Sequence, residues 1–216
     1  MKSLSIFVMS LILCSLLYSQ ENSSDPQYAL TFGIADNFRL DRFNMDIAVK
    51  KIIDETHQLR LFLSPRVYIS DDEENTNGAN QTQEREASSY SLGVGADYLW
   101  ILITNEDINM FGGTGLVFTY EKGNEKFTTI SENGDKNINE RSIPTTSAGI
   151  RGTLGVEWKV SEKIGIHSEY LLNGSYGWSE SENKSSLNGI NNPIVSRSSK
   201  RISLSSGVLL GVSIYF

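Results

Sequence analysis

Apolar residues recur at every second position through most of the chain. In Ser147 to Val160, "SAGIRGTLGVEWKV", Ala148, Ile150, Leu154, Val156, Trp158 and Val160 share one face with Gly152. Gly149, Arg151, Thr153, Gly155, Glu157 and Lys159 share the other. A period of two with unlike faces marks a strand. The same split runs through Tyr28 to Ala35, Met45 to Val49, Gln58 to Ile69, Tyr90 to Trp100, Met110 to Tyr120, Ile164 to Trp178 and Arg201 to Phe216. The pattern predicts eight antiparallel strands.

The connections predict how the strands are joined. "KIIDET", "TNED" and "SEK" are short, and "DNFRLDRF" is of middle length. Residues 70–86, 121–146 and 179–200 are long, polar and rich in Asn, Ser, Glu and Gly, so they read as hydrated loops. Short turns alternate with longer loops. In an up-and-down barrel, that rhythm gathers the turns at one end and the loops at the other. Pro65 interrupts the third strand, and a closed barrel has no free edge for it, so the pattern predicts a bulge there or a place near the loop end.

Residue size decides which face is outside. An eight-stranded interior is narrow. Here the charged face is also the small one, with Gly33, Gly93, Gly95, Gly113, Gly115, Gly149, Gly155, Gly165, Gly207 and Gly211. A lipocalin-like barrel would keep its bulk inside; bulk outside predicts a transmembrane β-barrel. Ring positions agree. Tyr28, Tyr98, Trp100, Trp158 and Phe216 fall toward the short-turn end, and Tyr90, Tyr120, Tyr176 and Trp178 toward the loop end. Between them lie mostly Leu, Ile, Val and Ala, which is an apolar band with an aromatic belt at each interface.

Residues 1–19, "MKSLSIFVMSLILCSLLYS", carry Lys2 and then an apolar run too short for a membrane span. They read as a cleaved signal peptide. "LILCS" lacks the small residues of a lipoprotein signal before Cys14. The expected division is signal peptide 1–19, a short N-terminal segment 20–27 and a barrel 28–216. The mature chain keeps 18 basic and 26 acidic residues, net −8, and no cysteine. That excludes disulfides and thiolate chemistry, and an acidic chain does not suit nucleic acid. The longest strongly apolar run after the leader is Tyr98 to Ile103, which excludes a helical membrane protein.

Taken together, the leader, eight alternating strands, turn rhythm and terminal Phe216 resemble the small eight-stranded outer-membrane barrels of Gram-negative bacteria, the OmpA/OmpX-like group. The resemblance covers about Tyr28 to Phe216. It implies a periplasmic N-terminus, short periplasmic turns and surface-exposed loops in the cell outer membrane. It also implies contact with outer-membrane lipid and lipopolysaccharide, and insertion by the barrel assembly machinery, which reads a final aromatic that Phe216 matches. The expected protein is a monomer without a soluble periplasmic domain, a cofactor or a metal, and its loops are free to meet an extracellular partner.

The inward face carries the candidate chemistry. Asp46, Arg60, Arg66, Asp97, Arg151, Glu157, Lys159, Glu169 and Arg201 form the predicted lumen ion network, with Lys50 and His167 nearby. Arg60, Asp97, Glu157 and Glu169 are expected at one level in the short-turn half. Buried charges must be paired, so the set reads as a salt-bridge plug or as an ion-selective pore; the narrow diameter favours the plug. "HSE" at His167 to Glu169 evokes lipid-modifying barrel hydrolases, but neighbours on a strand face opposite ways, so Ser168 cannot touch His167. No catalysis is expected. Glu73, Asn75, Asn77, Gly78 and Glu84 match calcium-loop spacing without flanking helices, and a solvated acidic loop, Asp71 to Glu86, is the simpler reading.

Overall fold

The computed structural model describes residues 27–35, 42–76, 81–131 and 133–216. The expected leader at 1–19, the segment at 20–26 and residues 77–80 lie outside them. The described residues form β1 (Tyr28–Ala35), β2 (Arg42–Ile52), β3 (His57–Thr76), β4 (Gln81–Asn105), β5 (Ile108–Ile130), β6 (Lys136–Ser161), β7 (Ile164–Leu187), β8 (Ile190–Asn191) and β9 (Val195–Tyr215). Each strand pairs antiparallel with its neighbours, β6 with β7 and β9 with β1, so eight long strands close a ring. β8 only extends the hairpin between β7 and β9. The fold is an all-β, up-and-down antiparallel barrel.

The ring is strongly staggered. Register partners run from Tyr215 through Ala29, Lys50, Arg60, Asp97, Gly115, Arg151 and Asn173 to Ser205. One circuit therefore returns to β9 ten residues above its start, at 205 instead of 215. A stagger of this size tilts the strands and sets a narrow bore.

Exposure alternates along the turn-end half of the long strands. Leu116 and Ile202 are 70% and 82% exposed, whereas Asp97 and Glu157 are 0% and 2% exposed. Apolar groups outside and charged groups inside are the arrangement lipid requires. Many of the rings lie on the outer face. Tyr28 stacks on Phe216 at 6.4 Å and His57 meets Tyr98 at 5.6 Å at the turn end. Tyr176 and Trp178 lie 6.3 Å apart at the other end. Tyr90, Tyr120, Trp158, Tyr176 and Trp178 are all exposed.

Two expectations change. The three long loops are instead hairpins, because β5 and β6 stay paired up to Ile130 and Lys136, and β7 runs to Leu187. Crossing lipid takes about 9–11 residues, yet β4 and β6 have 25 and 26. Their upper halves stand in water. There both faces are wet, so the apolar contrast that marks a strand vanishes while the backbone ladder continues. Asn188 and Gly189 close one tip with φ of 50° and 81°, values that suit a tight hairpin turn.

Pro65 causes no bulge. The β2–β3 register is the same at Asn44↔Arg66 as at Ile47↔Leu63, and only the pairs at Met45 and Asp46 between them are missing. On the β4 side, Pro65 pairs with Leu92 in an unbroken ladder. Pro144 repeats the device, with a gap toward β7 and a regular pair with Lys122 on β5. A missing N–H is absorbed by leaving two residues of one ladder unpaired. The register shifts fall near the turns, at Ile101/Ile103 and Lys159/Ser161.

Candidate functional site

The lower lumen holds a three-part ion network. Lys50 Nζ lies 3.2 Å from both carboxylate oxygens of Glu157. Arg60 donates through Nη1 to Glu169 at 2.6 and 2.7 Å, and through Nε and Nη2 to Asp97 at 3.0 and 2.7 Å. Arg151 faces Asp46 at 3.6 Å and donates to Asn173 at 3.1 Å. Glu157 also accepts from Ser213 at 2.5 Å and from Tyr215 at 2.6 Å. All these ionic groups are buried. An ion pair taken out of water needs such multiple contacts to offset its desolvation.

Apolar groups fill the space between the ions. Arg151 lies over the Phe62 ring at 3.9 Å, and Lys50 lies 6.0 and 5.7 Å from the Phe111 and Tyr215 rings. Phe62, Leu99, Phe111 and Leu209 are buried alongside them. The glycines facing the lumen make this possible. A Cβ on Gly155 would overlap the Phe111 ring, one on Gly115 would overlap Asp97, and one on Gly211 would overlap His167.

Six of the nine predicted members meet in this network: Asp46, Arg60, Asp97, Arg151, Glu157 and Glu169. Arg66, Lys159 and Arg201 stand apart. Arg66 and Arg201 line the wider lumen above it. Lys159 is exposed at the turn end, 5.9 Å from the Tyr215 ring. Lys50 and His167 join instead, together with Ser213 and Tyr215, which alternate inward along β9. Their inward parity was readable; their partners, more than 40 residues away, were not.

His167 has a serine after all. Ser168 faces out, but Ser213 Oγ lies 3.2 Å from His167 Nδ1, and His167 Nε2 lies 3.6 Å from Glu169. Ser213 is fully buried and gives its proton to Glu157. A serine nucleophile must reach a substrate, and this hydroxyl is buried and donated to Glu157.

Above the network the lumen opens into a cavity of about 960 Å³. Its floor includes Ser64, Arg151 and Leu171, and its walls rise to Arg85 and Arg141. At the opposite end, Asp54 caps the turn between β2 and β3. Its carboxylate accepts from the Thr56 N–H, the Thr56 hydroxyl and the His57 N–H, each at 2.8 Å. The Thr56 hydrogen bonds, with help from His57, hold this exposed carboxyl down at about 2. In the projecting hairpins, Lys126 donates to Glu86 at 3.1 Å, and that bond pushes the ammonium up from its ordinary range. Of the calcium-like positions, Glu73 lies opposite Glu84 in the β3–β4 ladder, and Asn77 and Gly78 lie outside the described residues. Among the described residues no group of three acidic, histidine or cysteine side chains forms a metal site.

A closed ring of antiparallel strands, apolar outside, charged inside and belted with aromatic rings, is a transmembrane β-barrel. No family model matches the chain, and no curated protein matches its sequence. Among solved structures it is similar to the outer membrane protein OprG from Pseudomonas aeruginosa, at 15% identity and a TM-score of 0.45, over 89% of this chain and 96% of that one. It is also similar to Neisserial surface protein A, at 16% identity and 0.40, over 88% and 94%. Ail, the attachment invasion locus protein of Yersinia pestis, matches at 12% and 0.36, over 87% and 92%. These similarities are weak, and the class stands on the closed register and the exposure pattern.

Proposed function

We propose that this chain is an exported outer-membrane protein that acts as a closed, structural barrel and presents its long hairpins to the outside. One observation carries the reading: four buried ion pairs and four large apolar side chains fill the turn-end half of the lumen. Such a filling favours a plug over a path. The polar hairpins, rich in Ser, Asn, Glu and Lys, suit an envelope or surface-interaction role. In this reading residues 1–19 direct export, the turns face the periplasm, Phe216 serves insertion, and the barrel sits as a monomer among lipid and lipopolysaccharide. No catalysis is assigned, and the buried, Glu157-bound Ser213 supports that.

Conductance tests the reading. The folded barrel in planar bilayers is expected to be silent at neutral pH. Steady single-channel steps from the unsubstituted protein would overturn the plug. They would favour the second reading, a small channel, whose support is the 960 Å³ cavity occupying the other half of the lumen.

A further inference from the structure

The cavity above the plug carries a charge opposite to that of the chain. Its walls hold five arginines against two glutamates, with no lysine and no aspartate, in a protein of net charge −7. Two of the five are engaged. Arg85 reaches Glu125 at 3.4 Å, and Arg151 faces Asp46 at 3.6 Å. Arg66, Arg141 and Arg201 have no ion-pair partner among the described residues, and they come from three different strands, β3, β6 and β9. Below them Ser64 is 3% exposed, lines the cavity and leaves its Oγ without a hydrogen-bond partner. A buried, unsatisfied hydroxyl facing a cavity is a donor awaiting an acceptor.

The chemistry of the wall is selective. Guanidinium groups present planar forks that bind carboxylate, sulfate or phosphate through paired hydrogen bonds. Between them the lining is mostly hydroxyl, including Ser91, Ser147, Ser175 and Ser203. Hydroxyls serve oxyanions and sugar-like hydroxyl groups equally. A cleft lined by one sign of charge also concentrates ligands of the other. The volume lies at the top of the range of roughly 300–1,000 Å³ for small-molecule sites.

We propose that this vestibule binds a small polar solute bearing two or more oxyanion groups on a hydroxylated frame of sugar size. Arg66 and Arg201 hold the oxyanions, and Ser64 donates at the floor. The site rests on the closed-barrel reading only in making the vestibule a dead end, where a ligand is held and not passed through.

Calorimetry on the folded barrel in detergent micelles tests it, with inositol hexakisphosphate and pyrophosphate as probes and neutral inositol as the control. Both anions are expected to bind and inositol is not. Arg66→Gln and Arg201→Gln are each expected to weaken binding about tenfold, the usual worth of one hydrogen-bonded charge. Lys122→Gln, on the outer face of β5, is expected to change nothing. If a variant fails to refold, the unsubstituted barrel carries the test: inositol hexakisphosphate is expected to protect Arg66 and Arg201 from phenylglyoxal. Affinity untouched by both substitutions, labelling without protection, or no binding at millimolar anion overturns the proposal. Bilayer conductance of the same preparation judges the closed lumen separately, so the two readings fail independently.

Discussion

Lys50 on β2 meets Glu157 on β6 across the whole width of the barrel, 107 positions apart in sequence and 3.2 Å apart in space. The stagger of the ring explains the meeting. A register row climbs ten residues per circuit, so about five over half a circuit. The row through Lys50 reaches β6 at Arg151, and the residue level with Lys50 therefore lies about five or six positions nearer the turn, at Glu157. An offset of four positions sets Glu169 level with Arg60, whose row reaches β7 at Asn173. It sets Arg151 level with Asp46. All three cross-barrel pairs follow from one geometric number.

Removing one side of such a pair leaves a buried charge. Lys50→Met keeps the packing against Phe111 and Tyr215 but strands Glu157, and is expected to cost about 3–5 kcal/mol. Adding Glu157→Gln is expected to recover much of that loss. Urea unfolding of the two single variants and the double variant in lipid vesicles measures the coupling, and purely additive losses would sink the idea.

The lumen glycines are expected to be unequal. Gly155→Ala places a methyl in the Phe111 ring and is expected to destabilise by about 1–3 kcal/mol, the ordinary cost of overpacking. Gly123→Ala, with nothing within 4 Å of the new methyl, is expected to be neutral or nearly so. Phe111→Leu in the Gly155→Ala background is expected to relieve the clash. Thermal unfolding of these variants compares them directly.

The turn at Asp54 has a signed pH dependence. Its carboxyl is held at about 2, below the ordinary 3.8. The contribution is therefore present above pH 3.8 and is lost as pH falls toward 2. Comparing unfolding of the unsubstituted protein and Asp54→Asn between pH 2 and pH 6 is expected to show a gap that closes across that window. A gap that persists at pH 2 argues against the carboxylate as its cause.

In the hairpins Glu86, Lys126, Glu140 and Lys184 are consecutive register partners of alternating sign. Lys126 is exposed, so salt screens this row and its net worth is small. Its raised ammonium contributes below the ordinary 10.5, and the contribution disappears as pH climbs past the raised value. Glu86→Lys is expected to speed protease nicking of the hairpins at low salt without moving the unfolding midpoint of the barrel. The swap Glu86→Lys with Lys126→Glu is expected to restore resistance.

Phe216 closes the ring at its seam. Tyr28 and Phe216 exchange two backbone hydrogen bonds, at 3.0 and 2.9 Å, and their rings stack. Deleting Phe216 is expected to lower the fraction that folds into vesicles, read as the heat-sensitive band shift on a detergent gel. An unchanged folded fraction would leave the barrel intact and remove the terminal ring from its assembly.

Much of this molecule was legible as alternation. Within lipid, one face of each strand meets hydrocarbon and the other meets a polar lumen, so parity marked Leu92 and Val94 as outward and Arg60 and Asp97 as inward. Legibility failed wherever that contrast failed. "EKFTTI" and "NINERSI" pair strand to strand, yet they read as loops because both their faces are wet. Pro65 predicted a bulge or a place near the loop end, and no bulge forms, because the cost of its missing N–H falls on one local gap in a neighbouring ladder.

The sequence by itself determined the class of fold and the strand parity, since these depend on local period and on what water and lipid accept. It did not determine which charges meet. Lys50 with Glu157, Arg60 with Glu169, Ser213 beside His167, and the separation of Arg66 and Arg201 into an open vestibule were decided by the closed ring alone. Stagger is a property of the whole barrel, built up one register at a time over eight pairings, and no single strand carries it.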